Sequence, residues 1–147
     1  MGVTMIKLLL ANKPKYREPL EQVLQDMGHN PALLEQAHTV WFLFVEDDKP
    51  IGAAYVFALS DVRLYITMLF KDIKLPGRKA VGKDLLKYLE QTTSCSKYEV
   101  LVPTDSKNVL RYYSQLGFKR EGVSRQSARI GDELVDQVHM GLVCQDS

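Results

Sequence analysis

The sequence predicts a mixed α/β (α+β) domain, a mostly antiparallel central sheet of about six to seven strands flanked by about four helices. Three observations carry that expectation. Three β-rich runs follow one another between residues 40 and 70 with turn signals between them, an amphipathic helix then leads into a buried strand, and a second helix stopping at Gly117 returns into two C-terminal strands. At 147 residues the chain is long enough to bury a core without disulfide or metal staples, and residues 1–147 are expected to form one domain.

Ile6 to Leu10 reads as a short strand. After Asn12 and Pro14, the positions Tyr16, Leu20, Val23, Leu24 and Met27 recur with helical spacing, and Gly28 ends the helix. Asn30-Pro31 offers a cap followed by proline in the first turn, which opens a short second helix through Gln36. Trp41 to Val45 and Ile51 to Leu59 form a hairpin around the turn-like Glu46 to Pro50. Val62 to Phe70 then alternates, with Val62, Leu64, Ile66 and Met68 on one face and Arg63, Tyr65 and Thr67 on the other, so the three strands form a meander. Val81, Leu85, Leu86 and Leu89 mark one face of the next helix, and Tyr98 to Val102 is a buried strand. Asp105 is placed to cap a helix carrying Val109, Leu110, Tyr112, Tyr113 and Leu116. Phe118 to Val123 reads as a strand, the polar Arg125 to Glu133 as a connector, and Leu134 to Val143 as the last strand.

Composition narrows the function. Apolar residues are 46% and charged residues 25%, an ordinary globular mixture, and the net charge of +1 supplies no global field for nucleic acid or an anionic membrane. Neither partner is expected. Cys95 and Cys144 have neither metal-pair spacing nor the number for a disulfide framework, and no leader or long apolar run is present, so a cytoplasmic protein with reduced thiols is expected. His29, His38 and His139 are far apart in sequence, and no metal is assigned.

The chemistry-bearing stretch is the loop from Leu75 to Leu86. It is basic, contains Gly77 and Gly82, follows a strand and feeds a helix, which is the layout of an anion cradle: loop and first-turn N–H groups point outward unpaired, and the helix dipole adds partial positive charge. A phosphate-bearing ligand is therefore expected. The loop lacks the Gly-Lys-Ser/Thr ending and repeated glycines of nucleotide-triphosphate and dinucleotide sites.

Element order and two motifs together resemble the GNAT superfamily of acyl-coenzyme-A-dependent N-acetyltransferases. Gly77-Arg-Lys-Ala-Val-Gly82, followed by Lys83, is similar to that family's cofactor loop, with Gly77 standing where a basic residue is usual and Ala80 where the first glycine is usual; Arg78 is the candidate for the displaced charge. Tyr113-Ser-Gln-Leu-Gly-Phe118 resembles the family's tyrosine, three residues, Gly-Phe segment, and Asp136 and Met140 resemble its common ending. Ser106 occupies the usual position of an asparagine, and Val109 that of an alanine. The resemblance implies acetyl-CoA as cosubstrate, bound by the backbone around Met68, Leu69 and Phe70, by the loop residues Gly77, Arg78, Lys79, Ala80, Val81, Gly82 and Lys83, and by Ser106.

It also implies direct transfer of acetyl to an amine of a small molecule, peptide or protein, with Tyr113 donating a proton to the departing thiolate. The amine must first be neutral. A lysine-type ammonium of pKa about 10.4 demands a base, whereas an α-amino group near 8 demands less of one. Val62 to Phe70 contains no carboxylate, so Tyr65 or Thr67 is expected to order a water toward Glu46, Asp61 or Asp136. A different class stays open beside this one: a GNAT-shaped binding module without turnover that acts through a protein partner. Pairing of exposed C-terminal strands into a homodimer is a further expectation.

Overall fold

The structure is a computed structural model that describes residues 5–144. Seven strands run β1 (Lys7–Leu10), β2 (Thr39–Glu46), β3 (Lys49–Ala58), β4 (Arg63–Phe70), β5 (Lys97–Pro103), β6 (Lys119–Ile130) and β7 (Glu133–Val143). Three α-helices, α1 (Arg17–Asp26), α2 (Arg78–Thr92) and α3 (Lys107–Gln115), join them. The short second helix is a 3-10 turn, Pro31–Glu35, whose cap Asn30 accepts the Ala32 N–H at 2.9 Å, and another 3-10 turn, Pro14–Tyr16, runs into α1.

The sheet order is β1-β2-β3-β4-β5-β7-β6, and only β4 and β5 pair in parallel, because α2 carries the chain back across the sheet between them. Successive side chains of a strand point to opposite faces of the sheet, and β1 to β4 meet an apolar layer on each face. On one face Phe42, Phe44, Ile66, Met68, Val100 and Met140 form a single cluster with Val81, Leu85 and Leu89 of α2 and Leu110 and Tyr113 of α3. On the other, Leu20, Val23 and Leu24 of α1 meet Trp41, Leu43, Val45 and Ala53. Burying one such side chain is worth about 1.5–3 kcal/mol, so both faces of β1–β3 are strongly held. The second cluster draws on β1 to β4 and leaves out β5, β6 and β7.

Two expectations are corrected. Arg125 to Glu133 is no connector: β6 continues to Ile130 and the turn is confined to Gly131 and Asp132. As the edge strand, β6 is exposed along nearly its whole length, so no apolar alternation marks it, and the ladder with β7 shifts register between Ser124 and Ala128. There Gln126 takes a positive φ of 47° and its N–H bonds the Asp136 carboxylate at 2.8 Å. Helix α3 is capped at Ser106 rather than at Asp105, because Thr104 and Asp105 form a turn in which Ser106 N–H bonds the Pro103 carbonyl at 3.0 Å.

Candidate active site

The site begins as a failure of strand pairing. β4 and β5 pair only from Arg63↔Lys97 to Tyr65↔Glu99, although β4 continues to Phe70 and β5 to Pro103. Beyond Tyr65 the two strands part. The wedge between them is a cavity of about 280 Å³, walled by Met68, Leu69 and Phe70 on one side and Val100, Leu101 and Val102 on the other. Ladder groups that lose a strand partner need another, and two tyrosines supply it: Tyr113 Oη accepts Met68 N–H at 2.9 Å, and Tyr65 Oη accepts Leu101 N–H at 3.4 Å. Tyr113 is 1% exposed, and burial, only partly offset by the Met68 bond, pushes its pKa far up. It is a hydroxyl at every working pH, with its own proton still to give.

At the wide end stands α2. Gly77 has a φ of 92°, a left-handed conformation that glycine adopts without strain, and the first helical bond runs from Val81 N–H to the Gly77 carbonyl at 3.0 Å. The N–H groups of Arg78, Lys79 and Ala80 therefore precede the helical ladder. Arg78 lies 5.3 Å from the Tyr112 ring centre and 5.8 Å from that of Phe70, and borders both the wedge and a basic depression of about 340 Å³ shared with Lys74 and Arg111.

Among the expected site residues, the structure brings together Met68, Leu69, Phe70, Arg78 and Tyr113 at one cavity. Gly77, Lys79, Ala80 and Lys83 lie exposed at the start of α2 beside it. Val81 and Gly82 are buried beneath the helix instead. A Cβ on Gly82 would come within 2.3 Å of the Tyr112 hydroxyl, so this glycine lets α2 close on α3. Tyr112 in turn donates to the Arg78 carbonyl at 2.8 Å, which ties α3 to the loop end of α2. Ser106, at the start of α3, borders neither the wedge nor the basic depression. Glu46, Asp61 and Asp136 do not line the wedge either; Asp136 is engaged with Gln126.

The sequence reading passed over Glu99. Its residue is 2% exposed in β5, where Arg63 donates from Nε at 2.5 Å and from Nη2 at 2.9 Å, and His139 Nε2 lies 2.7 Å from Oε1. The hydrogen bonds from Arg63 hold its carboxyl below the usual range against the opposing effect of burial, with His139 adding to the same direction. A lone carboxylate inside Tyr98 to Val102 was the available signal. Neither cysteine is an activated nucleophile candidate in the wedge: Cys144 Sγ bonds the Cys95 carbonyl at 3.3 Å, and burial pushes the Cys95 thiol up to about 11.

Residues 13–136 match the model of the acetyltransferase (GNAT) domain. The chain belongs to the GNAT acetyltransferase family. This GNAT chain is accordingly an acetyltransferase that draws on acetyl-CoA. Its fold is similar to that of spermidine N-acetyltransferase from Vibrio cholerae, solved with CoA and spermine, at 12% identity over 97% of both chains and a TM-score of 0.79. It is similar also to the microcin C7 self-immunity acetyltransferase MccE, solved with acetyl-CoA and AMP, at 15% identity over 95% of this chain and 92% of that one, with a TM-score of 0.77. A third likeness is to RimL, the ribosomal L7/L12 α-N-protein acetyltransferase, at 14% identity over 96% and 94% and a TM-score of 0.75. No curated protein matches by sequence. Among the described residues no helix is long and apolar enough to cross a membrane.

Proposed function

We propose that this GNAT chain is an N-acetyltransferase in which the thioester arm of acetyl-CoA lies between β4 and β5, its phosphates meet the start of α2, and Tyr113 protonates the departing thiolate. The observation that carries the reading is the three-pair limit of the β4–β5 ladder, with a buried tyrosine hydroxyl spanning the opened edge. Pantetheine amides need exposed strand groups, and the free edges of β4 and β5 offer them. A pyrophosphate needs converging N–H donors and cations, supported by the Arg78 to Ala80 amides and by Arg78, Lys74 and Arg111.

Chemistry then follows from position. A neutral amine adds to the thioester carbonyl, the C–S bond breaks, and the sulfur takes the Tyr113 hydroxyl proton, which the amide nitrogen restores through solvent. No protein nucleophile is required. The same reading includes a primary amine acceptor, a cytoplasmic location and a homodimer; Val123 and Ile130, exposed on the edge strand β6, support the last, and sedimentation tests it.

Calorimetric titration with acetyl-CoA, with CoA as control, tests the whole. Micromolar binding, followed by thiol release when a primary amine is added, is the expected result. Absence of binding would remove the transferase reading and return attention to a docking module with a degenerate cradle.

A further inference from the structure

On the face of the sheet opposite α2 and α3, a second depression of about 420 Å³ shares Val100 and Leu101 with the acyl wedge and is walled by Tyr65, whose hydroxyl reaches across the strand gap to Leu101. Its polar patch is Arg63, Glu99 and His139, and its apolar walls include Leu59 and Val123. We infer that this depression receives the acceptor amine and that His139, held by Glu99, is the base that deprotonates it. The inference rests on the acetyltransferase reading and adds to it the group that the strand β4 does not supply.

The tautomer follows from the neighbours. His139 Nε2 lies 2.7 Å from Glu99 Oε1 and 3.9 Å from Glu121 Oε1, so a lone pair on Nε2 would face two carboxylates, whereas an N–H there donates to one of them. Nε2 is the protonated nitrogen. The ring's basic lone pair is then on Nδ1, and the side chain keeps 35% of its surface exposed in the depression. Every charged neighbour is already engaged: Arg63 of β4 with Glu99, and Lys97 of β5 with Glu121 of β6 at 2.6 Å. Tyr65 of β4 is the remaining titratable group on the wall. Gly122 lies opposite His139 in the β6–β7 ladder, and a Cβ there would meet nothing within 4 Å, so the imidazole is not overlaid from that side.

Glu99 thus acts as a positioning residue, fixed by two Arg63 bonds and itself fixing the imidazole, while His139 takes the proton. One N–H proton of the ammonium passes to Nδ1, directly or through one water, and leaves to solvent; the resulting amine attacks the thioester through the gap beside Tyr65. Apolar walls favour a primary amine whose carrier is apolar next to the nitrogen.

The tautomer is tested first, without any acceptor, by long-range ¹H–¹⁵N spectra of the imidazole: protonated Nε2 and unprotonated Nδ1 are expected for His139, and the reverse overturns the assignment. Transfer is then followed from pH 5.5 to 9.5 with phenethylamine, spermidine and an α-amino tripeptide. Wild type should gain kcat/KM with rising pH well below the acceptor amine's own pKa. His139→Gln keeps an N–H for Glu99 but no base; it should lose about 10²-fold at pH 7, lack that limb and rise only toward the amine's own pKa, with acetyl-CoA affinity unchanged. Glu99→Asp should restore more of the limb than Glu99→Gln. Should His139→Gln destabilise the fold, His139→Asn read at a permissive temperature replaces it. An imidazole limb surviving in these variants overturns the role, as does a wild type that binds acetyl-CoA yet acetylates none of the three amines. Failure to bind acetyl-CoA at all would instead overturn the underlying transferase reading.

Discussion

Strand β5 has two neighbours and treats them differently. Toward β7 it pairs from Lys97↔Val143 to Pro103↔Gln137, along its whole length; toward β4 it pairs only as far as Tyr65↔Glu99. One edge is closed by backbone bonds and the other is opened and then patched by hydroxyls, Tyr113 on Met68 and Tyr65 on Leu101. The contrast separates stability from chemistry within a single strand. Val100 and Val102, 1% exposed, anchor β5 in the core, while the free edge of the same residues borders the wedge. Opening the seam costs less because β4 stays fully paired to β3 on its far side, from Gly52↔Phe70 to Ala58↔Leu64.

The sharpest way to break the comparison is to remove the hydroxyl that patches the open edge. Tyr113→Phe should slow acetyl transfer by about 10²- to 10⁴-fold, the range of a lost general acid, while acetyl-CoA affinity stays within a few-fold. Steady-state rates beside calorimetry check this, and an unchanged kcat would remove the proposed donor. Next in size is the support behind the wedge. Gly82→Ala places a methyl where the Tyr112 hydroxyl lies, so about 1–3 kcal/mol of stability is lost to overpacking, and acetyl-CoA binding weakens as Tyr112 is pushed from Arg78. Urea unfolding measures the first effect. A Gly131→Ala change, strained at φ 61° but with open space around it in the β6–β7 turn, is the control that costs stability without touching the cofactor.

How far the sequence foretold these parts follows the same division. Helices α1 and α2 were legible because each buries one periodic face, the meander because its β-rich runs are separated by turn signals, and the Gly117 stop holds, with a φ of 105°. The far half of β6 was not legible: an edge strand exposed on both sides has no alternation to read. At the site, Arg78 and Tyr113 were named through the family resemblance and both border the wedge, whereas Val81 and Gly82, named with them, pack inward, since only the first turn of a helix can offer free N–H groups. Glu99 and His139 are 40 residues apart and become neighbours only through the β5–β7 register, which no local pattern encodes. Tyr112 was read as one more apolar position in α3, and its hydroxyl's partner lies 34 residues earlier in the chain.

Smaller effects sharpen the contrast between the cradle and the ion network. Arg78→Ala removes the cation shared by the wedge and the basic depression, and should weaken acetyl-CoA binding about tenfold, near 1.4 kcal/mol, with kcat at saturation little changed. A larger fall in kcat than in affinity would mean that Arg78 positions the thioester rather than holding phosphate.

Glu99→Gln should have the smallest effect on stability, about 1 kcal/mol at pH 7. Breaking a fully buried pair costs more, but Arg63 is 45% exposed and water can take up its freed donors. The pH dependence identifies the source. Arg63 and His139 hold the Glu99 carboxyl below its unfolded value of about 4.3, so its contribution is complete above that pH and is lost as pH falls through the lower folded value. Wild type and variant should therefore differ most at neutral pH, and their unfolding curves should draw together in acid. A difference that persists undiminished at pH 2 would assign the loss to packing around the carboxamide, and the Arg63–Glu99–His139 chain would then be a shape requirement of β5 rather than a charged one.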